Sequence, residues 1–156
     1  MAVCSIVFWA GRGVADVDYE GDYMKKGRTV LEAKRFGIFS CQVDTPLAEV
    51  CRLMVTEGIS SLVVVDQDGY LQGLLSTTDL LRANLAYDDW MLRPAGAVMS
   101  TDVVCVSPSS LLREVAELLL TNRIHRVVVV QMEEGKPRPV AVVSSSDLAY
   151  HMVKEL

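Results

Sequence analysis

Apolar and polar positions along the chain predict one order of elements twice: strand, helix, strand, strand, helix. In the first predicted helix the apolar residues fall at i, i+3, i+4 and i+7, namely Leu47, Val50, Cys51 and Met54. The second copy repeats that spacing at Leu112, Val115, Ala116 and Leu119. The predicted strands are Ile38–Val43, Leu62–Asp66 and Tyr70–Ser76, then Val103–Val106, Val127–Gln131 and Val140–Ser144. The last helix of each copy begins near Asp79 and near Asp147. Since the hairpin strands are continuous apolar runs, we expect both faces to be covered.

The two copies are an internal repeat. Glu49-Val50 matches Glu114-Val115 at an offset of 65, whereas Asp79 matches Asp147 at an offset of 68. The three extra residues of the second copy are assigned to a loop over Met132–Pro139. A unit of this size has an apolar face that it cannot bury alone, so we expect the copies to fold together, with a ligand in the cleft between them.

Turn and cap signals complete the prediction. Thr45 is predicted as the N-cap of the first helix with Pro46 as its first residue, and Asp68-Gly69 as a hairpin turn. We divide the chain into an N-terminal extension (1–37), repeat 1 (38–90) and repeat 2 (91–156). Within the extension, Val3–Trp9 resembles a strand and Thr29–Arg35 a short helix.

Composition narrows the class of protein. Of 156 residues 51% are apolar, with a mean hydropathy of +0.28, which favours a further buried surface such as a homodimer interface. The net charge of −5 argues against nucleic acid as a partner. The four cysteines are scattered and suggest reduced thiols rather than metal ligands. No apolar run is long enough to span a bilayer, and the opening residues make a poor signal peptide, so we expect a cytoplasmic protein without membrane contact.

Two similar segments end a predicted strand and open a helix: Ser76-Thr77-Thr78-Asp79 and Ser144-Ser145-Ser146-Asp147. Ser-x-x-Asp at such a place is typical of a capping box. A carboxylate beside a helix N-terminus can also accept hydrogen bonds from both hydroxyls of a ribose. The residues alone leave both interpretations open. Catalysis finds little support, because the chain has no phosphate loop, no nucleophile elbow and no dinucleotide fingerprint.

The strings from Gly58 to Asp66 (GISSLVVVD) and from Gly73 to Asp79 (GLLSTTD) resemble the cystathionine-β-synthase (CBS) domain, and the second copy follows the same order. The chain is thereby similar to a tandem CBS pair, or Bateman module, over about residues 38–156. This resemblance implies an α+β fold in which two β-α-β-β-α repeats pack about a pseudo-twofold axis. It also implies a homodimer.

The resemblance further implies which residues contact a ligand. Asp79 and Asp147 stand where the family binds ribose, with Ser76 and Ser144 beside them. His125 and Arg126 resemble phosphate-binding residues in the γ subunit of AMP-activated protein kinase. The remaining candidates are Ser60, Thr78 and Ser146 for phosphate, and Ile38, Cys41, Ile59, Val103, Cys105 and Ile124 for the adenine slot. Many family members carry proline where this chain has Val63 and Val128, which leaves the shape of that slot open.

In this family a ligand whose ribose is bound by the carboxylate of one repeat often has its phosphate bound by residues of the other repeat. A charged nucleotide at Asp79 would then have its phosphate bound by His125 and Arg126, whereas a ligand at Asp147 would face Ser60 and Ser61. The function implied is a non-enzymatic sensor that binds AMP, ADP, ATP, S-adenosylmethionine or NAD as an effector, without a resident cofactor, and signals to an effector protein. A ligand-free dimerisation module and a nucleotide-processing enzyme are the alternatives.

Overall fold

The computed structural model describes residues 27–33 and 37–154. In these residues the first repeat comprises β1 (Ser40–Gln42), α1 (Leu47–Glu57), β2 (Ser61–Val65), β3 (Leu71–Ser76) and α2 (Thr77–Ala86). The second comprises β4 (Cys105–Val106), α3 (Leu112–Thr121), β5 (Arg126–Glu133), β6 (Lys136–Ser144) and α4 (Ser145–Lys154). The predicted α+β class with two β-α-β-β-α units is therefore confirmed. The strand predicted over Val3–Trp9 lies outside the described residues.

Each repeat builds a three-stranded sheet, in the orders β1-β2-β3 and β4-β5-β6. β1 runs parallel to β2, and β2 runs antiparallel to β3. β4 likewise runs parallel to β5. Because β3 runs back along β2, its carboxyl end lies at the same sheet edge as the first residues of β1 and β2. The junction between β3 and α2 is thereby placed at that edge.

Equivalent residues form the helix-side core of each repeat. In the first, Leu47, Val50 and Met54 of α1 pack on the sheet residues Leu62, Val64 and Leu75. In the second, the corresponding core residues are Leu112, Val115, Leu119, Val127, Val129 and Val143. Val63 and Val65 are buried although they belong to neither helix-side cluster. The central strand β2 is thus covered on both faces, as its continuous apolar run predicts, whereas β3 alternates buried and half-buried residues.

The described residues group into two units. The first holds 38–103 with 132–139, and the second holds 27–33, 37, 104–131 and 140–154. Val30 is fully buried in the core of the second unit, and its N–H donates to the Ser110 carbonyl at 2.8 Å. The helix predicted at Thr29–Arg35 is observed as a 3-10 turn, Val30–Ala33. This segment precedes repeat 1 in sequence but packs with repeat 2.

The loop predicted over Met132–Pro139 is wrong. Most of these residues continue β5 and β6, joined by a two-residue turn in which Glu134 and Gly135 have φ values of 51° and 78°. Positive φ at both positions matches the right-handed twist of a hairpin. Arg138 pairs with Glu133 at 2.7 Å and lies 4.7 Å above the ring centre of Tyr70. The three extra residues therefore lengthen a hairpin whose tip packs on Tyr70 in the first unit.

The predicted start of α1 is also wrong by one residue. Pro46 is the N-cap, with an extended ψ of 141°, and the helix begins at Leu47. The Thr45 hydroxyl instead accepts a hydrogen bond from the Gln42 N–H at 3.0 Å, which closes the turn between β1 and α1. Threonine side chains stabilise such turns as readily as they cap helices.

Candidate functional site

Each junction between a last strand and a last helix is held by a serine and an aspartate. The N–H and hydroxyl of Ser76 both donate to Oδ2 of Asp79, at 2.8 and 2.7 Å. Ser144 makes the same two bonds to Oδ2 of Asp147, both at 2.8 Å. The Asp147 N–H returns a bond to the Ser144 hydroxyl at 3.3 Å. The capping interpretation is therefore confirmed, and both serines bond to their aspartates.

The capping bonds fall on one oxygen of each carboxylate. A carboxylate oxygen has about two lone-pair positions, so the two serine bonds fill Oδ2 and leave Oδ1 as an acceptor. Both oxygens stand at a helix N-terminus, where the backbone dipole stabilises negative charge. Asp147 is 8% exposed, and the side chain of Asp79 is 18% exposed. The serines thus fix two shielded carboxylates through bonds to one oxygen of each.

The surroundings of the two carboxylates differ. Arg82 Nη1 lies 3.5 Å from Oδ1 of Asp79. In the second repeat the residue at the same helix position, three after Asp147, is Tyr150. Sequence reasoning missed Arg82, although its i+3 spacing from Asp79 on a predicted helix is a recognised signal for an ion pair.

Predicted phosphate ligands lie next to each junction. The Ser60 carbonyl accepts the Thr77 N–H at 3.0 Å, and the His125 carbonyl accepts the Ser145 N–H at 2.9 Å. His125 is exposed and Arg126 is half-buried. The backbone therefore brings Ser60 to the junction of Asp79 and His125 to that of Asp147. That a ligand bound at the aspartate of one repeat has its phosphate bound by residues of the other repeat stays a prediction.

Thr78 and Ser146, also predicted to contact phosphate, are exposed in the first turns of α2 and α4. Both hydroxyl-bearing residues stand one position before the aspartate of their junction. A ligand held by that aspartate would lie close to them, which agrees with the prediction without testing it.

The predicted adenine-slot residues do not share one environment. Cys41 packs against the helix-side core, and Ile38 does not belong to that cluster. Cys41 thus lies on the helix side of β1, and its place in an adenine slot stays a prediction. Burial raises the pKa of the Cys41 thiol to about 11, opposed in part by a hydrogen bond with Thr45. Its thiol is thus kept protonated.

The other predicted slot residues also divide into those that pack against a helix-side core and those that do not. Ile59 and Ile124 are half-buried and pack against the helix-side cores. Val103 and Cys105 are also buried, but they belong to neither helix-side core. We expect such residues on the face of a sheet that lies opposite the helices. In the first unit, Ile38 precedes β1 and Ile59 precedes β2, at the end of the sheet that carries Ser76.

Two open cavities lie elsewhere in the first unit. One of about 490 Å³ is lined by Gln42, Val43, Asp44, Asp66 and Gln67, at the sheet edge opposite Ser76. The other, of about 350 Å³, lies between β1 and α1. The Asp66 carboxylate accepts three hydrogen bonds, from the N–H groups of Asp68 and Tyr70 and from Gln72 Nε2, so it shapes the hairpin turn.

The part of the chain that the structure describes contains no group of three or more metal-ligating side chains. It also contains no helix with the length and apolar character needed to span a membrane.

Comparison with known proteins identifies relatives. The family model of the CBS domain matches residues 30–86 and 95–154. The γ subunit of 5'-AMP-activated protein kinase from Saccharomyces cerevisiae is 27% identical over 122 residues, covering 73% of this chain and 37% of that protein. The chain spans less than half the length of the curated relatives it matches.

Solved structures share the fold. The CBS domain pair of protein MJ0100, in complex with 5'-methylthioadenosine and S-adenosyl-L-methionine, has a TM-score of 0.71 at 19% identity, covering 83% of this chain and 98% of that chain. CBSX2 in complex with AMP has a TM-score of 0.69 at 22% identity, covering 82% and 98%.

Proposed function

The chain belongs to the CBS domain family and carries two copies of the domain, and on that premise we propose that it is a regulatory module that binds an adenosine-containing metabolite. The observation that carries the proposal is the geometry of the two junctions. Each holds a shielded aspartate through serine bonds that fall on Oδ2 rather than on Oδ1. Ribose hydroxyls would donate to that oxygen in charge-assisted hydrogen bonds.

The ligand class follows from what relatives bind. Two structures of the same fold hold AMP, or 5'-methylthioadenosine with S-adenosyl-L-methionine. These ligands share an adenosine and differ in charge beyond the ribose. We therefore place AMP, ADP, ATP, S-adenosylmethionine and NAD among the candidate effectors. His125 and Arg126 are the proposed phosphate ligands, because both side chains can donate to phosphate oxygens.

A thermal-shift panel with these ligands and adenosine tests the proposal. A ligand at about 100 times its Kd stabilises the folded chain by about 2.7 kcal/mol, which corresponds to roughly 5–10 °C for a protein of this size. Asp79→Asn and Asp147→Asn should each remove the shift from one site, while Asp102→Asn, an exposed aspartate outside the junctions, should not. The absence of a shift with every ligand would favour the ligand-free module.

The phosphate assignment has its own test. Arg126→Ala should weaken AMP and ATP far more than adenosine, since only the nucleotides carry phosphate. Equal losses for all three would contradict a phosphate role for Arg126. An enzymatic alternative is tested by incubating ATP with the pure protein, because a sensor should leave it unchanged.

We also propose a homodimer formed through exposed apolar helix positions. Val55 of α1 and Leu120 of α3 are equivalent positions and are 78% and 80% exposed. Leu85 of α2 and Val153 of α4 are a second equivalent pair, 87% and 68% exposed. The same surface positions are apolar in both repeats, which a symmetric interface would explain better than chance. Leu85→Glu should give a monomer by light scattering coupled to size-exclusion chromatography, whereas Asn84→Glu, exposed beside it, should not.

Sensing requires that the ligand favour one conformation. A ligand shifts the equilibrium between two conformations by no more than its difference in affinity for them. The proposed partner is an effector protein that distinguishes these conformations. Size-exclusion chromatography with and without AMP separates a sensor, whose behaviour changes, from a scaffold that ignores the nucleotide.

A further inference from the structure

We infer that Arg82 makes the Asp79 site select ligands by charge, so that it prefers a phosphorylated adenosine over the nucleoside. The inference rests on the proposed function and concerns a residue to which no role in binding has been assigned. Its basis is the ion pair between Arg82 Nη1 and Asp79 Oδ1, the oxygen that the serine leaves open.

The ion pair is loose enough to leave that oxygen usable. The 3.5 Å separation exceeds the 2.7–2.9 Å of typical charge-assisted hydrogen bonds. The Arg82 side chain is 77% exposed and its guanidinium carries five N–H donors, so a ligand can reach it from solvent. A ribose bound at Oδ1 would therefore meet a guanidinium whose donors remain available. A 5'-phosphate on that ribose lies a few bonds away, within reach of a long exposed side chain.

The second junction provides an internal comparison. Counting three residues from the aspartate, Arg82 of the first repeat corresponds to Tyr150 of the second. A tyrosine can donate one hydrogen bond but carries no positive charge at neutral pH. The serine–aspartate geometry is the same at both junctions, with Ser–Asp distances of 2.7–2.8 Å. The two sites thus share the predicted ribose contact and differ in charge at this helix position, so the contribution of this position to AMP preference is expected at Asp79 and not at Asp147.

The effect of Arg82 should be measurable but moderate. Two charges about 4 Å apart in water interact by about 1 kcal/mol, which corresponds to roughly fivefold in affinity. Salt screens an exposed pair, so the preference should decline as ionic strength rises. The moderate size of the effect and its dependence on salt distinguish the loss of a charge contact from a loss of packing.

Calorimetric titration of AMP and adenosine into Arg82→Gln tests the inference, with Asp147→Asn as the background that isolates the Asp79 site. We expect AMP affinity to fall about fivefold and adenosine affinity to change less than about twofold. Arg113→Gln is the matched control, because Arg113 is also an exposed arginine paired with a carboxylate, at 3.0 Å from Glu117 on α3. In an Asp79→Asn background, Tyr150→Arg should raise the preference for AMP by a similar factor.

The outcomes are distinguishable. An unchanged ratio of AMP to adenosine affinity in Arg82→Gln would overturn the inference and leave the proposed function intact. A gain for both ligands would also overturn it, since Arg82 would then compete with ribose for Asp79. Failure of the unsubstituted protein to bind AMP or adenosine would overturn the inference, and failure to bind any of the candidate effectors would refute the proposed function as well.

Discussion

Replacing Asp147 separates the two roles assigned to its carboxylate. Asp147→Ala removes the acceptor of two hydrogen bonds from Ser144, both 2.8 Å long, at a residue only 8% exposed. Loss of a helix-terminal contact costs about 1–2 kcal/mol, and loss of a bond to a charged acceptor adds to it, so we expect about 2–3 kcal/mol. At about 2–4 °C per kcal/mol for a chain of this size, Tm should fall by roughly 4–12 °C.

Asp147→Asn changes the charge and keeps an acceptor. Its amide oxygen can still receive the Ser144 bonds, so its free energy of unfolding should fall by less than about 1 kcal/mol. Both variants should lose the stabilisation by adenosyl ligand at this site, because a neutral amide no longer provides the charge-assisted acceptor. The assay is urea unfolding followed by circular dichroism, without ligand and then with adenosine or S-adenosylmethionine.

Ser144→Ala completes a double-mutant cycle with Asp147→Ala. The serine and aspartate share their bonds, so the two losses should not add, and the coupling should be about 1 kcal/mol. Wild-type stability of Asp147→Ala without ligand would contradict the structural role of the box. A full ligand shift in Asp147→Asn would contradict the ribose role and leave the capping box as the only role of the carboxylate.

Two further predictions concern the fold. A Cβ at Gly73 would lie 2.6 Å from Met99 Sδ and 2.8 Å from the Ser100 carbonyl oxygen. Gly73→Ala should therefore lower the free energy of unfolding, measured by urea titration, by about 1–3 kcal/mol. Gly37→Ala is the control and should not lower it, because the space around Gly37 is open. Burial raises the pKa of the Cys41 thiol from 9.0 to about 11, so the unfolded chain loses this proton first. The stability of the wild type should therefore decline between pH 9 and 11 relative to Cys41→Ala, and parallel pH profiles would refute this.

The helices and the core were predictable because apolar spacing responds directly to burial. Leu47, Val50 and Met54 were assigned to one face from their spacing alone, and all three are buried in one core. Ser76 and Asp79 were predictable as a cap because their spacing matches the geometry of a helix start. A single sequence is sufficient to predict features that depend on neighbouring residues or on a regular spacing of apolar residues.

The hairpin tip and the Thr45 turn were not predictable, since each depends on partners distant in sequence or on a choice between near-equal local bonds. Glu133 and Lys136 read as polar loop residues, yet pairing with a neighbouring strand and packing on Tyr70 keep this segment extended. Thr45 could cap α1 or close the preceding turn, and both options use the same hydroxyl. Tertiary context decided each case.

Comparison of the two repeats identifies the residues that both sites share, but it does not identify the residues by which the two sites differ in function. The alignment of the repeats depends on buried apolar residues and on the serine–aspartate boxes, which both copies need in order to fold. Arg82 and Tyr150 are exposed, so folding places little constraint on them, and they are free to differ between the copies. Since they stand beside the two carboxylates, they are expected to contribute to any difference in ligand charge preference between the sites, together with His125 and Arg126, whose equivalents in the first repeat are Ser60 and Ser61. Selectivity in this chain should therefore be altered by exchanging exposed helix residues, with the boxes left unchanged.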